Sequence, residues 1–344
     1  KGELMRLPVM ISGIALVAMI ILGSLLSLLQ GALDLPPTES LLALCDTLFG
    51  THWSTLDDYQ RVVVTELRLP RLLLSVFVGA MLAQCGAVMQ GLFRNPLADP
   101  GIIGVSSGAA VGAIVAIAIF PASIGPLAVP VSAFVAGLLT TMLVYSLSRS
   151  KQGTSVLVLL LAGVAISAFA GATIGFISYF SNDEKLRQLS LWQMGSLAGA
   201  SQVNLWLGFF TVVALAIAFQ RRTSALNALV LGECEARDLG INVEGLKRQL
   251  IILVAVGVGI SVAYAGIIGF IGLVVPHLVR LVTGPDHRSL IPLSALCGAL
   301  LLLVADLMAR LVVQPAELPV GLVTALLGAP FFLALLIQQR RQWN

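Results

Sequence analysis

The feature that most constrains this sequence is a series of apolar runs, several of them close to 20 residues long and free of charged side chains. A helix of roughly 20 apolar residues spans the hydrocarbon core of a bilayer. Charged residues make up only 11% of the 344 residues and hydrophobic residues 58%, whereas soluble domains carry roughly 25% charged residues. The sequence therefore predicts an all-α polytopic membrane protein and excludes a soluble globular one.

The apolar runs and the turns between them predict ten transmembrane helices. The run 250–282 is too long for one crossing, and Gly266, Gly269 and Gly272 near its middle predict a bend that separates two spans. The predicted spans are 7–29, 72–93, a third that ends near 120, 127–147, 155–180, 204–219, 250–265, a shorter one that ends near 282, 290–308 and 320–337.

Basic residues are unevenly distributed between the two sides that ten spans define. Of the 20 Lys and Arg residues, six fall on the side opposite the termini: Arg61, Arg68, Arg71, Lys185, Arg187 and Arg310. Because segments rich in Lys and Arg stay in the cytoplasm, both termini are expected inside. We therefore expect a single transmembrane domain over residues 1–344, with an outward-facing segment at about 30–71 and a cytoplasmic segment at about 221–248.

The cytoplasmic segment 221–248 is the one long, strongly charged interruption on that side. Gly232 divides it into two short helix-like pieces. Thr223 or Ser224 suits the N-cap of the first piece, and Gly240 suits the left-handed end of the second. Helices this short are not stable alone in water, so the segment either packs against a partner protein or is a solvated loop.

The sequence contains no energy-coupling chemistry of its own. None of the four lysines completes a GxxxxGK[ST] phosphate-binding loop, and the centres of the predicted spans hold no Asp, Glu, Lys or Arg, which a proton- or sodium-driven carrier would retain. Asp306 and Arg310 are expected to pair with each other or to face the outer mouth, and His277 is either a packed histidine or a proton relay. No catalytic or metal site is indicated, and the energy source is expected on a separate subunit.

Four long runs carry a resemblance to a known family. They are ELRLPRLLLSVFVGAMLAQCGAVMQGLFRNPLADPGIIGVSSGAAVGA at 66–113, LGECEARDLGINV at 231–243, GIIGFIGLVVPHLVRLVTGPDHR at 266–288 and ADLMARLVVQPAELPVGLVTALLGAPFFLALL at 305–336. In this order they resemble the FecCD family, the permease subunits of type II ATP-binding cassette (ABC) importers for iron siderophores, haem and cobalamin. Within that family the chain looks most similar to the haem permeases.

The resemblance implies the rest of a transport complex. It implies a homodimer of ten-helix permeases in the bacterial inner membrane, two copies of a cytoplasmic ATPase that binds ATP and Mg, and a periplasmic binding protein that delivers the substrate. No cofactor is expected in this chain, and no nucleic acid is implied as a partner.

The resemblance also implies roles for particular residues. The positions implied for coupling to the ATPase are Leu226, Leu229, Gly232, Glu233, Ala236, Leu239 and Gly240, with packing expected of the leucines and backbone shape of the glycines. Arg68, Arg71 and Arg310 match positions that dock the binding protein; the alternative is that they anchor helix ends to lipid headgroups. Thr154 and Ser155 match the cytoplasmic gate, although either could be a helix N-cap.

Glycines mark two further faces. Gly104, Gly108 and Gly112 repeat every four residues along the third span and predict a close-packing face. Gly163, Gly171 and Gly175 on the fifth span leave room either for a bulky planar ligand on the pathway or for a neighbouring helix.

Alternative functions remain open from the sequence. Within the same class, the substrate could be an iron siderophore or cobalamin instead of haem. A secondary carrier or channel is the alternative from another class, and a structural membrane scaffold is a third.

Overall fold

The computed structural model describes residues 8–31 and 33–343, and most of this part of the chain is helical. The helices are α1 Val9–Leu29, α2 Pro37–Phe49, α3 Asp58–Val62, α4 Leu69–Leu92, α5 Val105–Ile119, α6 Ala128–Ser148, α7 Val156–Tyr179, α8 Asp183–Met194, α9 Gln202–Gln220, α10 Thr223–Leu231, α11 Glu233–Asp238, α12 Val243–Ala265, α13 Ile271–Thr283, α14 His287–Leu311 and α15 Val320–Trp343. A hairpin between α6 and α7 pairs β1 Arg149–Ser150 with β2 Gly153–Thr154. Lys1, Arg6 and Leu7, which entered the predictions of orientation and of the first span, lie outside the described residues.

The predicted spans correspond to helices. Within the described residues, seven helices are long and apolar enough to cross a membrane, and α5, α13 and the apolar part of α15 are shorter apolar helices. Their positions match the ten predicted spans. The expected all-α polytopic fold is therefore confirmed.

The second span is the central helix of the bundle. It continues α3 through a π-helical stretch, Val63–Arg68, into α4 as one helix from Asp58 to Leu92, and the membrane part is buried on nearly every side. α4 packs against α14, α13, α12 and α9. The sequence predicted the apolar part of this helix but assigned its polar first turns to an outward loop.

Glycines allow α4 to approach its neighbours closely. A Cβ placed on Gly79 would collide with the carbonyl oxygen of Gly298 on α14, and a Cβ on Gly86 would collide with that of Gly272 on α13. Small residues permit such backbone contacts between membrane helices. The bundle around α4 is thus held at distances that larger residues would exclude.

The glycine face predicted on the third span also packs as expected. A Cβ on Gly108 would meet Thr140 of α6, and a Cβ on Gly112 would meet the Ser132 carbonyl. Gly104 has a different role, because its φ of 84° places it in the left-handed region immediately before α5. The predicted packing face is confirmed for Gly108 and Gly112, which join α5 to α6.

The outward segment is folded rather than extended. α2 starts at Pro37 and ends at Gly50, whose φ is 68°. Asp46 on α2 accepts hydrogen bonds from the backbone N–H groups of Trp53 and Ser54 and from the Thr51 hydroxyl, at 2.7–2.9 Å. This carboxylate fixes the loop between α2 and α3.

The predicted bend between the seventh and eighth spans is also present. α12 ends at Gly266, whose φ is 69°, and α13 begins after Phe270, which also has a positive φ of 69°. A bulky residue with positive φ is uncommon. The chain therefore reverses direction here through a short segment without helical hydrogen bonding.

Candidate coupling and transport sites

The cytoplasmic segment forms two short helices, as the sequence predicted. α10 ends at Gly232, whose φ of 148° is unfavourable for other residues, and α11 ends at Leu239 before Gly240 with a φ of 82°. The N–H of Ile241 donates to the Ala236 carbonyl oxygen at 3.0 Å, which closes the end of α11. The backbone roles expected for Gly232 and Gly240 match this geometry.

The expected N-cap of α10 is wrong. The cap position is Arg222, which makes no capping hydrogen bond through its side chain. The Thr223 hydroxyl instead donates to the carbonyl oxygen of Gln220 at 3.0 Å, within the preceding helix end. α9 and α10 follow each other so closely that no extended residue is available to act as a cap.

The apolar residues of the two helices divide into an inner and an outer set. Leu226, Leu229 and Ala236 are fully buried against the bundle, where α10 contacts α4 and α14. Leu231 and Leu239 are 69% and 65% exposed. The segment is therefore anchored to its own chain rather than being a solvated loop, and it presents apolar side chains outward.

Asn227 on α10 connects this helix to α14. Its Oδ1 accepts a hydrogen bond from the His287 backbone N–H at 3.0 Å, and its Nδ2 donates to Asp286 Oδ1 at 2.7 Å. Hydrogen bonds from the Arg288 N–H and from the Asn227 amide lower the pKa of the Asp286 carboxyl. The start of α14 is thus held by a residue of the coupling segment that the sequence analysis did not single out.

The residues expected at the cytoplasmic gate lie at the hairpin before α7. The Thr154 N–H and hydroxyl both donate to Glu244 Oε2 on α12, at 3.0 and 2.7 Å. The Ser155 hydroxyl accepts a hydrogen bond from the Val158 N–H at 3.3 Å and caps α7. The N-cap interpretation is therefore confirmed for Ser155, and Thr154 is tied to α12 instead.

Lys247 on α12 links the β1–β2 hairpin to α11. Its ammonium lies 2.7 Å from Glu233 Oε1 on α11 and 3.4 Å from Glu244 Oε1, and it donates to the Thr154 carbonyl oxygen at 3.2 Å. Only 3% of the Lys247 side chain is exposed. Glu244 is three residues from Lys247 along the chain, but Glu233 and Thr154 are not neighbours in sequence, so the sequence analysis did not single out this lysine.

The side chains of the three arginines expected to dock a binding protein contact groups of their own chain. Arg68 donates to the carbonyl oxygens of Leu28 and Leu33 at 2.9 and 2.5 Å, which ties the end of α1 and the following loop to the π-helical stretch. Arg310 donates to the carbonyl oxygens of Ser27 and Gln30 at 3.3 and 3.2 Å. Both arginines are buried, and neither lies at a helix end exposed to lipid headgroups.

Arg71 occupies the centre of an outer ion-pair network. Its guanidinium lies 2.9 Å from Asp306 on α14, which is fully buried, and 2.6 Å from Glu317 in the loop before α15. Arg310 lies 3.4 Å from Asp306 through its Nε, so the predicted pairing within α14 is confirmed. The three arginines find acceptors within their own chain in this structure, and their docking role stays a prediction.

The three glycines of the fifth span have different surroundings. A Cβ on Gly163 would collide with the Ile102 carbonyl oxygen, so this glycine packs against the turn before α5. Gly171 and Gly175 have open space where a Cβ would lie. Elsewhere around the same helix, Phe169, Phe176 and other large apolar side chains are exposed.

His277 on α13 is only partly buried, and its Nδ1 has no hydrogen-bond partner within the described part of the chain. In those same residues, no three His, Cys, Asp or Glu side chains are grouped so as to hold a metal ion.

The described residues form a bundle of apolar helices, seven of them long enough to cross a membrane, with two short helices anchored at one end. Comparison with known proteins gives the family: residues 19–338 match the FecCD transport family. The chain belongs to this family and is a membrane permease subunit of ABC importers, not the ATPase.

Individual relatives extend over nearly the whole chain. The chain is 48% identical over 301 residues to the hemin transport system permease protein HmuU of Yersinia pestis, covering 86% of this chain and 89% of that protein. It is 46% identical over 286 residues to the vitamin B12 import system permease protein BtuC of Vibrio cholerae, covering 83% and 85%. A solved structure described as an inward-facing conformation of a putative metal-chelate type ABC transporter superposes with a TM-score of 0.82 at 34% identity, covering 95% of this chain and 98% of the other.

Proposed function

We propose that this chain forms the membrane pathway of an ATP-driven haem importer in the bacterial inner membrane, with both termini in the cytoplasm. The observation that carries the choice of haem is the 48% identity to a hemin permease across 86% of the chain. Cobalamin is the second candidate, because a vitamin B12 permease is 46% identical. An iron siderophore is a third chelate of the same class.

The coupling segment supports a partner ATPase on the cytoplasmic side. Leu226, Leu229 and Ala236 fix α10 and α11 to the bundle, while exposed Leu231 and Leu239 offer apolar contact to another protein. Short helices anchored in this way suit a cleft in a partner. In the proposed complex two ATPase copies bind ATP and Mg and move these helices when they close.

The exposed surface of α7 supports a second copy of the permease. Phe169, Phe176 and Tyr179 are 75%, 68% and 83% exposed, and on another side of the helix the Cβ positions of Gly171 and Gly175 are open. In the proposed homodimer the two α7 helices flank the pathway. A bulky planar chelate would pass along the glycine positions, and Thr154 and Ser155 would lie at the cytoplasmic exit.

For the outer face we propose a modified docking role for Arg68, Arg71 and Arg310. Because their guanidinium groups hold the end of α1, α14 and the loop before α15 together, they would shape the surface that receives a periplasmic binding protein. Exposed acids on neighbouring positions, including Glu66 and Glu317, would then meet the partner. Direct ion pairing by the three arginines would require them to leave their present acceptors.

The function is tested by reconstituting the permease with its ATPase in liposomes that enclose ATP. Binding protein loaded with hemin, a ferric siderophore or cobalamin is supplied outside, and uptake is measured for each. Uptake of hemin alone supports the proposal, whereas uptake of cobalamin alone replaces haem by cobalamin. Transport by the permease without the ATPase, under an ion gradient, would instead establish a secondary carrier or channel.

A further inference from the structure

Three elements of the cytoplasmic side meet at one ammonium group. Lys247 Nζ lies 2.7 Å from Glu233 on α11, donates to the Thr154 carbonyl oxygen of the hairpin at 3.2 Å and lies 3.4 Å from Glu244 on α12. A lysine ammonium has three N–H donors and no acceptor. Each donor thus has an oxygen from a different element.

The burial of Lys247 shows that this contact is built into the protein. Only 3% of its side chain is exposed, whereas the next residue, Arg248, is exposed to solvent. Removing a charge from water is costly unless it is paired and hydrogen-bonded. The lysine is therefore stable in this position only while α11, α12 and the hairpin keep their present arrangement.

The contacts of Lys247 also connect α11 to the hairpin that precedes α7. Glu233 is the first residue of α11, and Thr154 immediately precedes Ser155, which caps α7. Glu244 fixes the other side of Thr154 by accepting hydrogen bonds from its N–H and hydroxyl. A displacement of α11 must consequently either carry the hairpin along or remove the nearest carboxylate of a buried ammonium, which then keeps only Glu244 as a charged partner.

We propose that Lys247 is the positioning residue that couples movement of α11 to the gate hairpin at Thr154. The inference rests on the proposed function, in which α10 and α11 receive the ATPase and the hairpin closes the pathway. It adds the residue that connects the two. Lys247 itself touches neither the ATPase nor the substrate.

The test compares Lys247→Met with Arg248→Met in the liposome system described above. The measured quantity is substrate imported per ATP hydrolysed, because a coupling residue changes this ratio whereas a lower amount of folded protein does not. Coupling energies between sites typically correspond to 5–150-fold effects, so we expect the ratio to fall about tenfold in Lys247→Met. Lys247→Arg, which keeps the charge, should recover most of the ratio, and Arg248→Met should leave it unchanged.

A second variant distinguishes a loss of coupling from misfolding of Lys247→Met. Glu233→Gln keeps the shape of a side chain that is 31% exposed but removes the charge that faces Lys247. The same loss of imported substrate per ATP is expected. An unchanged ratio in both Lys247→Met and Glu233→Gln overturns the inference.

A spectroscopic measurement reports on the hairpin directly. A spin label at Gln152→Cys, an exposed position in the turn of the hairpin, gives the distance between the two copies in a permease whose native cysteines are replaced. We expect a distance change on ATP binding in the otherwise unaltered protein and its loss in Lys247→Met. Persistence of the change in Lys247→Met contradicts the proposal. Absence of uptake by the unsubstituted complex with every chelate overturns the proposed function itself, and with it this inference.

Discussion

Hydrogen bonds between Asn227 and His287 join α10 to the start of α14. The Asn227 Oδ1 accepts the His287 backbone N–H at 3.0 Å and also lies 2.8 Å from His287 Nδ1. α14, which begins at His287, extends to Asp306 and Arg310 in the outer ion-pair network. One helix therefore connects the proposed ATPase surface with the outer face.

Asn227→Ala should loosen this connection. The substitution removes the acceptor of the His287 N–H and the donor to Asp286, and losing such a cap costs about 0.5–2 kcal/mol. Hydrogen–deuterium exchange should accelerate at 286–290 while exchange in α4 stays the same. Leu231→Ala, a position on the same helix that is 69% exposed, is the matched control, and equal exchange in both variants would contradict the role of Asn227.

Replacing one partner of the ion pair between Arg71 and Asp306 should destabilise the protein more than replacing both partners. Asp306→Leu leaves the Arg71 guanidinium largely buried with only Glu317 as its partner, and breaking a buried ion pair typically costs about 3–5 kcal/mol. Thermal unfolding in detergent should show a large decrease, and Arg71→Leu combined with Asp306→Leu should recover part of it. Glu317→Gln is the control, because its exposed contact is worth roughly 0–1 kcal/mol.

Substitutions at two glycines of α7 should distinguish a role in packing from a role in transport. Gly163→Ala forces a Cβ into the Ile102 carbonyl oxygen, and overpacking of this kind costs about 1–3 kcal/mol. Gly171→Ala has open space in the single subunit and should leave its thermal stability unchanged. If α7 flanks the pathway in the dimer, Gly171→Leu should reduce uptake without reducing stability, and full uptake in that variant would remove Gly171 from the pathway.

The loop between α2 and α3 should lose stability at acidic pH. Burial alone would raise the pKa of Asp46, but hydrogen bonds from Trp53, Thr51 and Ser54 together with the Arg61 charge lower it to about 2. Because the folded-state pKa lies below the ordinary value of 3.8, this contribution is complete above about pH 4 and is lost as the pH falls towards 2. Comparing hydrogen exchange at 50–57 with that of Asp46→Asn at each pH tests this, since the two proteins should differ at pH 6 and converge near pH 2.

The sequence predicted the helices whose signal is local. Continuous apolar runs identify the spans, and Gly232 and Gly240 mark the ends of α10 and α11 because the required backbone conformations depend on the residue itself. The helices α2 and α3 were missed because they lie in a segment without an apolar run long enough to span a membrane, although α2 is rich in leucine.

The candidate site was predictable only in part, because many of its contacts join residues that are distant along the chain. Lys247 and Thr154 are distant along the chain, and so are Asn227 and His287. The arginines at the outer ends were identified as functional cations, but nothing near Arg68 in sequence indicates that the carbonyl oxygens of Leu28 and Leu33 will surround it. Periodicity reports which face of a helix is apolar, and it does not report which neighbour that face meets.

The unbroken helix from Asp58 to Leu92 is longer than the hydrocarbon core of a membrane is thick. At 1.5 Å per residue its 35 residues reach about 50 Å, well beyond a hydrocarbon thickness of roughly 30 Å. About 20 Å of this helix therefore lies beyond the hydrocarbon. The polar turns before α4 continue the same helix whose Gly79 and Gly86 contact α14 and α13.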